Sequence, residues 1–145
     1  MTTVKEILEK KGSFVASICK SSTVLEAAQE MNARRIGALV VTEGDKVVGI
    51  FTERDILTKV VAGQLTPDRT TVGEVMTSPV ACCCRDTTLE ECRTVMTDKR
   101  IRHLPVVEDD RLLGIITSGD VLAREAIEQR ETIKYYHQYI YGPYQ

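Results

Sequence analysis

Two stretches of the chain end on the same pattern, Gly49-Ile50-Phe51-Thr52-Glu53-Arg54-Asp55 and Gly114-Ile115-Ile116-Thr117-Ser118-Gly119-Asp120. A hydroxyl and a carboxylate three positions apart at the start of a helix can do two kinds of work. They can cap the helix, the threonine accepting from a backbone N–H while the acid reaches back to the threonine N–H. They can also bind: a carboxylate held at a helix N-terminus accepts both hydroxyls of a vicinal diol such as ribose, and the free helix N–H groups favour an anionic or polar ligand. The four other helix starts carry glutamate at the fourth position, as Glu6, Glu26, Glu74 and Glu91. Aspartate is shorter and is expected to reach the cap N–H less well, so its use at Asp55 and Asp120 favours a ligand role over a plain cap.

Basic residues precede the same two corners, as Arg34-Arg35-Ile36-Gly37-Ala38 and Lys99-Arg100-Ile101-Arg102-His103. Positive charge at the strand starts makes a phosphate site, or alternatively completes the dipole of the helix that ends there. The second corner is the richer, because Arg102 and His103 stand where the first copy has Gly37 and Ala38, although Arg54 replaces Gly119. Gly49 and Gly114 remove a side chain where a strand enters the corner, which permits close approach of a ligand or of the other copy.

The elements that position these residues repeat. A capping box at Thr3 to Glu6 opens a helix ended by Lys10-Lys11-Gly12, and Ser13 to Cys19 alternates as a short extended segment. A helix from Thr23 to about Arg35 buries Val24, Ala27, Ala28 and Met31. Ile36 to Thr42 and Lys46 to Phe51 form a hairpin around Glu43-Gly44-Asp45, and Thr52 to Val61 is the next helix. After a linker, Ala62 to Asp68, the order returns: Thr71 to Glu74, an extended Val80 to Cys84, Thr88 to Glu91, strands Ile101 to Val107 and Leu112 to Ile116, and a helix from Thr117 or Ser118 that continues, charged, to Lys134. From Thr23 against Thr88 to Leu57 against Leu122 no gap is needed, and roughly 14 of 35 positions are identical. A unit of about 60 residues buries little core alone, so the two are expected to pack through their sheets as one α+β module. The boundaries read as residues 1–66, 67–130 and a tyrosine-rich tail, 131–145, holding all five tyrosines.

Composition narrows the function. The 145 residues are 43 % hydrophobic and 28 % charged with net charge −2, which gives no support to nucleic-acid binding. No apolar run approaches the roughly 20 residues that span a bilayer and the N-terminus has no signal-peptide core, so the expected location is cytoplasmic. Cys19, Cys82, Cys83, Cys84 and Cys92 fit neither a disulfide framework nor a zinc site and read as reduced thiols; Cys82 and Cys84 share one face of a strand and Cys83 takes the other. No metal ligand set and no catalytic constellation is apparent, and His103 and His137 are the only histidines, so the chain does not read as an enzyme.

The G-h-h-T-x-x-D endings, the Arg100-Ile101-Arg102-His103-Leu104-Pro105-Val106-Val107 segment and the leading Thr-Val helices together resemble a tandem pair of CBS (cystathionine β-synthase) domains, the Bateman module, from Thr3 to about Leu122. The resemblance implies two β-α-β-β-α units joined by their sheets, homodimers of such pairs, and adenosine ligands in the clefts: AMP, ADP, ATP, NAD(H) or S-adenosylmethionine. By matching position it implies Asp55, Thr52 and Arg35 in one site, and Asp120, Thr117, Arg102 and His103 in the other. Residues around Val15 to Ser17, Ile36 to Ala38 (with Gly37), Val80 to Cys82 and Ile101 are expected to flank the adenine. The expected function is a stand-alone regulatory sensor without a required cofactor, acting on an unidentified protein target, with Asp120 the stronger site. A ligand-free interaction scaffold using the dimer surface or the tail is the alternative.

Overall fold

The computed structural model describes residues 1–141; the end of the tyrosine-rich tail, Gly142 to Gln145 with Tyr144, lies outside them. In chain order the elements are α1 (Val4–Lys11), β1 (Ser17–Cys19), α2 (Val24–Arg34), β2 (Ala38–Glu43), β3 (Lys46–Thr52), a single α-helical turn α3 (Glu53–Asp55) running into a π-helix (Ile56–Val61), α4 (Val72–Val75), α5 (Leu89–Lys99), β4 (His103–Glu108), β5 (Arg111–Thr117) and α6 (Ser118–Tyr141). The hairpins β2–β3 and β4–β5 are antiparallel, with Ala38 opposite Thr52 and His103 opposite Thr117, and each register slips once, at Val41/Thr42 and Val106/Val107. β1 adds parallel to β2. The fold is the expected α+β pair, with corrections in three places.

The strand expected over Val80 to Cys84 is reduced to one bridge: Cys83 N–H donates to the Pro105 carbonyl at 2.9 Å and Cys83 accepts from Val107 N–H at 2.9 Å. Cys83 is buried while Cys82 and Cys84 are exposed, which is the expected facing. The helix expected from Thr52 to Val61 is α-helical for one turn only; its later bonds span five residues, as in Ala62 N–H to the Leu57 carbonyl at 3.0 Å. At the C-terminus, α6 carries the tail's tyrosines as far as Tyr141 rather than ending before them.

The leading helix of each unit packs into the core of the other. Val4, Ile7 and Leu8 of α1 lie with Leu89, Cys92, Leu104, Val106 and Ile116, whereas Val72 and Val75 of α4 lie with Val24, Leu39, Val41 and Phe51. Matching backbone bonds lock the exchange: Val4 N–H to the Thr87 carbonyl and Leu89 N–H to the Thr2 carbonyl, both 2.9 Å, against Val24 N–H to Thr70 and Val72 N–H to Ser22, both 2.8 Å. Burying the three aliphatic side chains of α1 contributes roughly 5–9 kcal/mol as an upper estimate. The two glycines before the corners serve this packing. A Cβ on Gly49 would lie 2.9 Å from the Thr77 carbonyl oxygen, and one on Gly114 would lie 2.8 Å from a Leu8 methyl.

Candidate functional site

The second corner is built where β4 begins, β5 ends and α6 begins. His103 sits directly across from Thr117, and Ser118 N–H donates to the Arg102 carbonyl at 2.9 Å, so Arg102, His103, Thr117 and Ser118 share one rim. Thr117 N–H donates to Asp120 Oδ2 at 2.8 Å and Asp120 N–H donates to Thr117 Oγ1 at 3.2 Å. Lys11, delivered by the exchanged helix α1, places Nζ 2.7 Å from the same Oδ2 and 2.8 Å from the Ile115 carbonyl. The aspartate side chain is 20 % exposed, and its second oxygen, Oδ1, has no protein partner among the described residues. Lys11 uses two of its three ammonium hydrogens on these contacts, leaving one to offer.

The first corner has the same backbone and different chemistry. Asp55 Oδ2 accepts from Thr52 N–H at 2.9 Å and from Thr52 Oγ1 at 3.3 Å. Its Oδ1 accepts from Thr77 Oγ1 and from Lys59 Nζ, each at 3.0 Å, and only 5 % of the side chain is exposed. Both carboxylate oxygens are therefore committed inside the protein. Glu53 N–H donates to the Gly37 carbonyl at 3.1 Å, and the Glu53 carboxylate occupies the space above Gly37, 3.2 Å from where a Cβ would stand. A carboxylate in that place repels phosphate.

Aspartate reaches the cap N–H as well as glutamate does: 2.9 and 2.8 Å at Asp55 and Asp120, against 2.8 Å for Glu74 and 2.9 Å for Glu91. The extended backbone of Thr52, at ψ 167°, brings its N–H toward the third helical residue, so the shorter arm suffices. The capping function explains both aspartates, and the difference between the corners lies in what else each carboxylate touches.

His103 is half-buried between the corners. Burial lowers its pKa first and the Arg102 guanidinium lowers it further, with Lys11 adding to the effect; Glu53 of the other repeat opposes them. The neutral imidazole is the favoured form in the folded chain. The remaining expected residues are more scattered. Ile101 packs against the second core. Ala38 is buried opposite Thr52. Arg35 is exposed and ends α2 in the left-handed region at φ 55°, as Arg100 does for α5 at φ 54°. Val80 lines a cleft of about 290 Å³ with Lys46, Val48, Pro79, Val107 and Asp110 at the hairpin ends, the opposite end of the strands from Asp120. Sequence reasoning missed Lys11, Thr77 and Glu53. The signal for Lys11 was present in Lys10-Lys11-Gly12 and was absorbed by the helix-end reading.

The second corner can accept a diol at an open carboxylate oxygen and donate to an anion from a lysine, an arginine and a histidine. Among the described residues no group of three or more His, Cys, Asp or Glu side chains is arranged to hold a metal ion. No helix among them is long and apolar enough to cross a membrane.

Residues 4–62 and 72–126 match the family model described as CBS domain. The chain is similar to the CBS domain-containing protein CBSX3, mitochondrial, of Arabidopsis thaliana, at 32 % identity over 99 % of this chain and 74 % of the relative. It is similar to hypoxic response protein 1 of Mycobacterium tuberculosis at 32 % identity over 83 % of each chain. Of the solved structures, a CBS-domain containing protein from Agrobacterium tumefaciens superimposes with TM-score 0.80 at 42 % identity, over 86 % of this chain and 99 % of that one. One from Burkholderia ambifaria, described as a candidate signal transducer, superimposes with TM-score 0.84 at 37 % identity, over 88 % and 96 %. Two matched segments covering most of the sequence, on a fold shared with these structures, make the chain a member of the CBS-domain family, carrying two CBS domains in tandem.

Proposed function

We propose that the chain is a regulatory module that binds an adenine nucleotide or related adenosine compound (AMP, ATP, NAD(H) or S-adenosylmethionine) at its second corner, and that it acts on a protein target as a homodimer of CBS pairs. The observation that carries the reading is the uncommitted Oδ1 of Asp120, set beside Thr117, Lys11, Arg102 and His103. The carboxylate and the threonine hydroxyl receive the ribose diol, and the three basic groups receive phosphate or another anionic arm. Membership of the CBS family supports the adenosine class. Asp55, spent on Thr52, Thr77 and Lys59, serves as a cap and core anchor, so a single preferred site follows.

Regulation requires that the ligand bind one state better than another, since equal affinity shifts nothing. Lys11 supplies the link, because its ion pair with Asp120 joins α1 to the ligand corner and the same helix is built into the second core. Thermal unfolding with and without each ligand tests the proposal: at about 100 times the dissociation constant, a bound ligand adds roughly 2.7 kcal/mol to folding stability. No shift with AMP, ATP, NADH or S-adenosylmethionine contradicts it. The nucleotide is expected to return unchanged by chromatography after long incubation, as suits a binding module. The exposed rings of Tyr135, Tyr136 and Tyr139 on α6 favour a second reading, a ligand-free scaffold. That reading requires all four ligands to leave the melting curve unmoved.

A further inference from the structure

We propose that α6 pairs with α6 of a second copy as a parallel two-stranded coiled coil, closed along Leu122, Ala126, Gln129, Ile133, Tyr136 and Ile140. The inference names the contact that holds the homodimer proposed above and rests on that part of the reading, not on nucleotide binding. The helix runs 24 residues, about 36 Å. Its first half is fastened to the second repeat and to the N-terminal segment packed on it: Val121 is buried in the core, Arg93 Nη1 holds Glu125 at 2.9 Å and Thr2 Oγ1 donates to Glu128 at 2.7 Å. From Gln129 to Ile140 every side chain is exposed. A helical stretch this short is marginal in water without tertiary packing, so it needs a cover.

The sequence of that stretch specifies the cover. The steps 122–126–129–133–136–140 alternate four and three residues, the 3.5-residue period of a coiled-coil seam. The large members of the seam are solvent-facing in the single chain: Leu122 at 65 %, Ile133 at 68 %, Tyr136 at 57 % and Ile140 at 66 %. Isoleucine alternates in the seam with Gln129 and Tyr136, and β-branched residues at the positions of Ile133 and Ile140 favour two parallel strands; in that arrangement Gln129 meets its own copy and can satisfy its amide there. Charge agrees. In a parallel pair Glu125 flanks the seam five residues before Arg130, the spacing that brings each glutamate against the arginine of the other copy. Arg93 occupies only Oε1 of Glu125, which leaves Oε2 for that contact. Tyr135 stacks on Tyr139 at 6.4 Å beside the seam and meets the Tyr136 ring edge-on at 5.6 Å, so the three rings form one aromatic cluster at the seam.

The test uses the full chain with the exposed thiols Cys19, Cys82 and Cys84 changed to serine. Sedimentation equilibrium is expected to show a dimer, and Ile133→Asp with Ile140→Asp is expected to weaken it at least 100-fold, with helical signal lost only from the exposed end of α6 while the CBS pair still unfolds in one cooperative thermal transition. In the same background, Ile133→Cys and Ile140→Cys made separately are each expected to give a covalent dimer on mild oxidation, because a parallel pair sets every seam residue against itself. An antiparallel pair can do so at one position only. Cross-linking at one position or at neither overturns the inference. A dimer unmoved by the aspartates also overturns it while leaving the homodimer reading standing, and a monomeric parent chain overturns both.

Discussion

Replacing each motif aspartate by alanine separates structural from ligand-binding roles, because the two carboxylates are equivalent in sequence and different in surroundings. Asp55→Ala removes an acceptor shared by Thr52 N–H, Thr52 Oγ1, Thr77 Oγ1 and Lys59 Nζ in a site where 5 % of the side chain meets solvent. Hydrogen bonds to a charged group contribute about 1.5–3 kcal/mol each and the cap about 0.5–2 kcal/mol. Lys59, 41 % exposed, rehydrates, so its ion pair adds little. With partial relaxation the loss is about 2–4 kcal/mol, a fall in Tm of roughly 6–12 °C for a chain of this size. Asp120→Ala frees only Thr117 N–H and Lys11, both within reach of water, and costs about 1 kcal/mol or ~3 °C. Affinity runs the other way. Losing the diol acceptor weakens AMP binding roughly 30- to 100-fold in Asp120→Ala and by less than about threefold in Asp55→Ala. Circular-dichroism melts of the three proteins, with calorimetric titrations well below the lowest Tm, measure both quantities. An Asp55→Ala protein that melts within about 2 °C of the parent, or an Asp120→Ala protein that melts below Asp55→Ala, refutes the reasoning.

Lys11→Met is expected to weaken AMP roughly tenfold with a change in stability near 0.5 kcal/mol, read by calorimetry and urea unfolding. Gly49→Ala forces a Cβ to 2.9 Å from a backbone oxygen and is expected to cost about 1–3 kcal/mol by urea midpoint. Gly114→Ala, which meets side-chain methyls of Leu8 rather than backbone, is expected to cost less. The pKa of His103 is lowered in the folded chain by burial, then by Arg102 and Lys11, so the unfolded chain binds the proton more readily. Its contribution is present above the unfolded value of about 6.5 and is lost as pH falls from there through the lower folded value. Urea midpoints at pH 7.5 and 5.5 should fall less in His103→Gln than in the parent. A bound phosphate reverses the preference, so AMP affinity should rise as pH drops toward 6 and flatten in the same variant.

What the sequence revealed was the repeat, and with it the fold and the two corners. The gap-free match of Thr23 to Leu57 with Thr88 to Leu122, and the hairpin turns between the paired strands, depend on local pattern, which survives in a linear reading. Partner assignment did not survive. Thr3 and Thr71 open similar helices, and nothing local says that each packs on the opposite repeat; that follows only when Gly49 and Gly114 are seen to admit Met76, Thr77 and Leu8. Lys11 and Thr77 were missed for this reason, since each enters a corner from a segment about 110 or 20 positions away in the chain. The expected contrast between aspartate and glutamate rested on arm length, and the backbone at the cap removes it. The distinction that matters, one committed carboxylate and one with an open oxygen, is made by long-range neighbours.

A crystal structure of the full chain grown with AMP tests the central claim most directly. Nucleotide density at the second corner is predicted, with a ribose hydroxyl within about 3 Å of Asp120 Oδ1 and the phosphate toward Lys11, Arg102 and His103. AMP bound at the hairpin-end cleft beside Lys46 and Val80, or at Asp55 with the second corner empty, contradicts it.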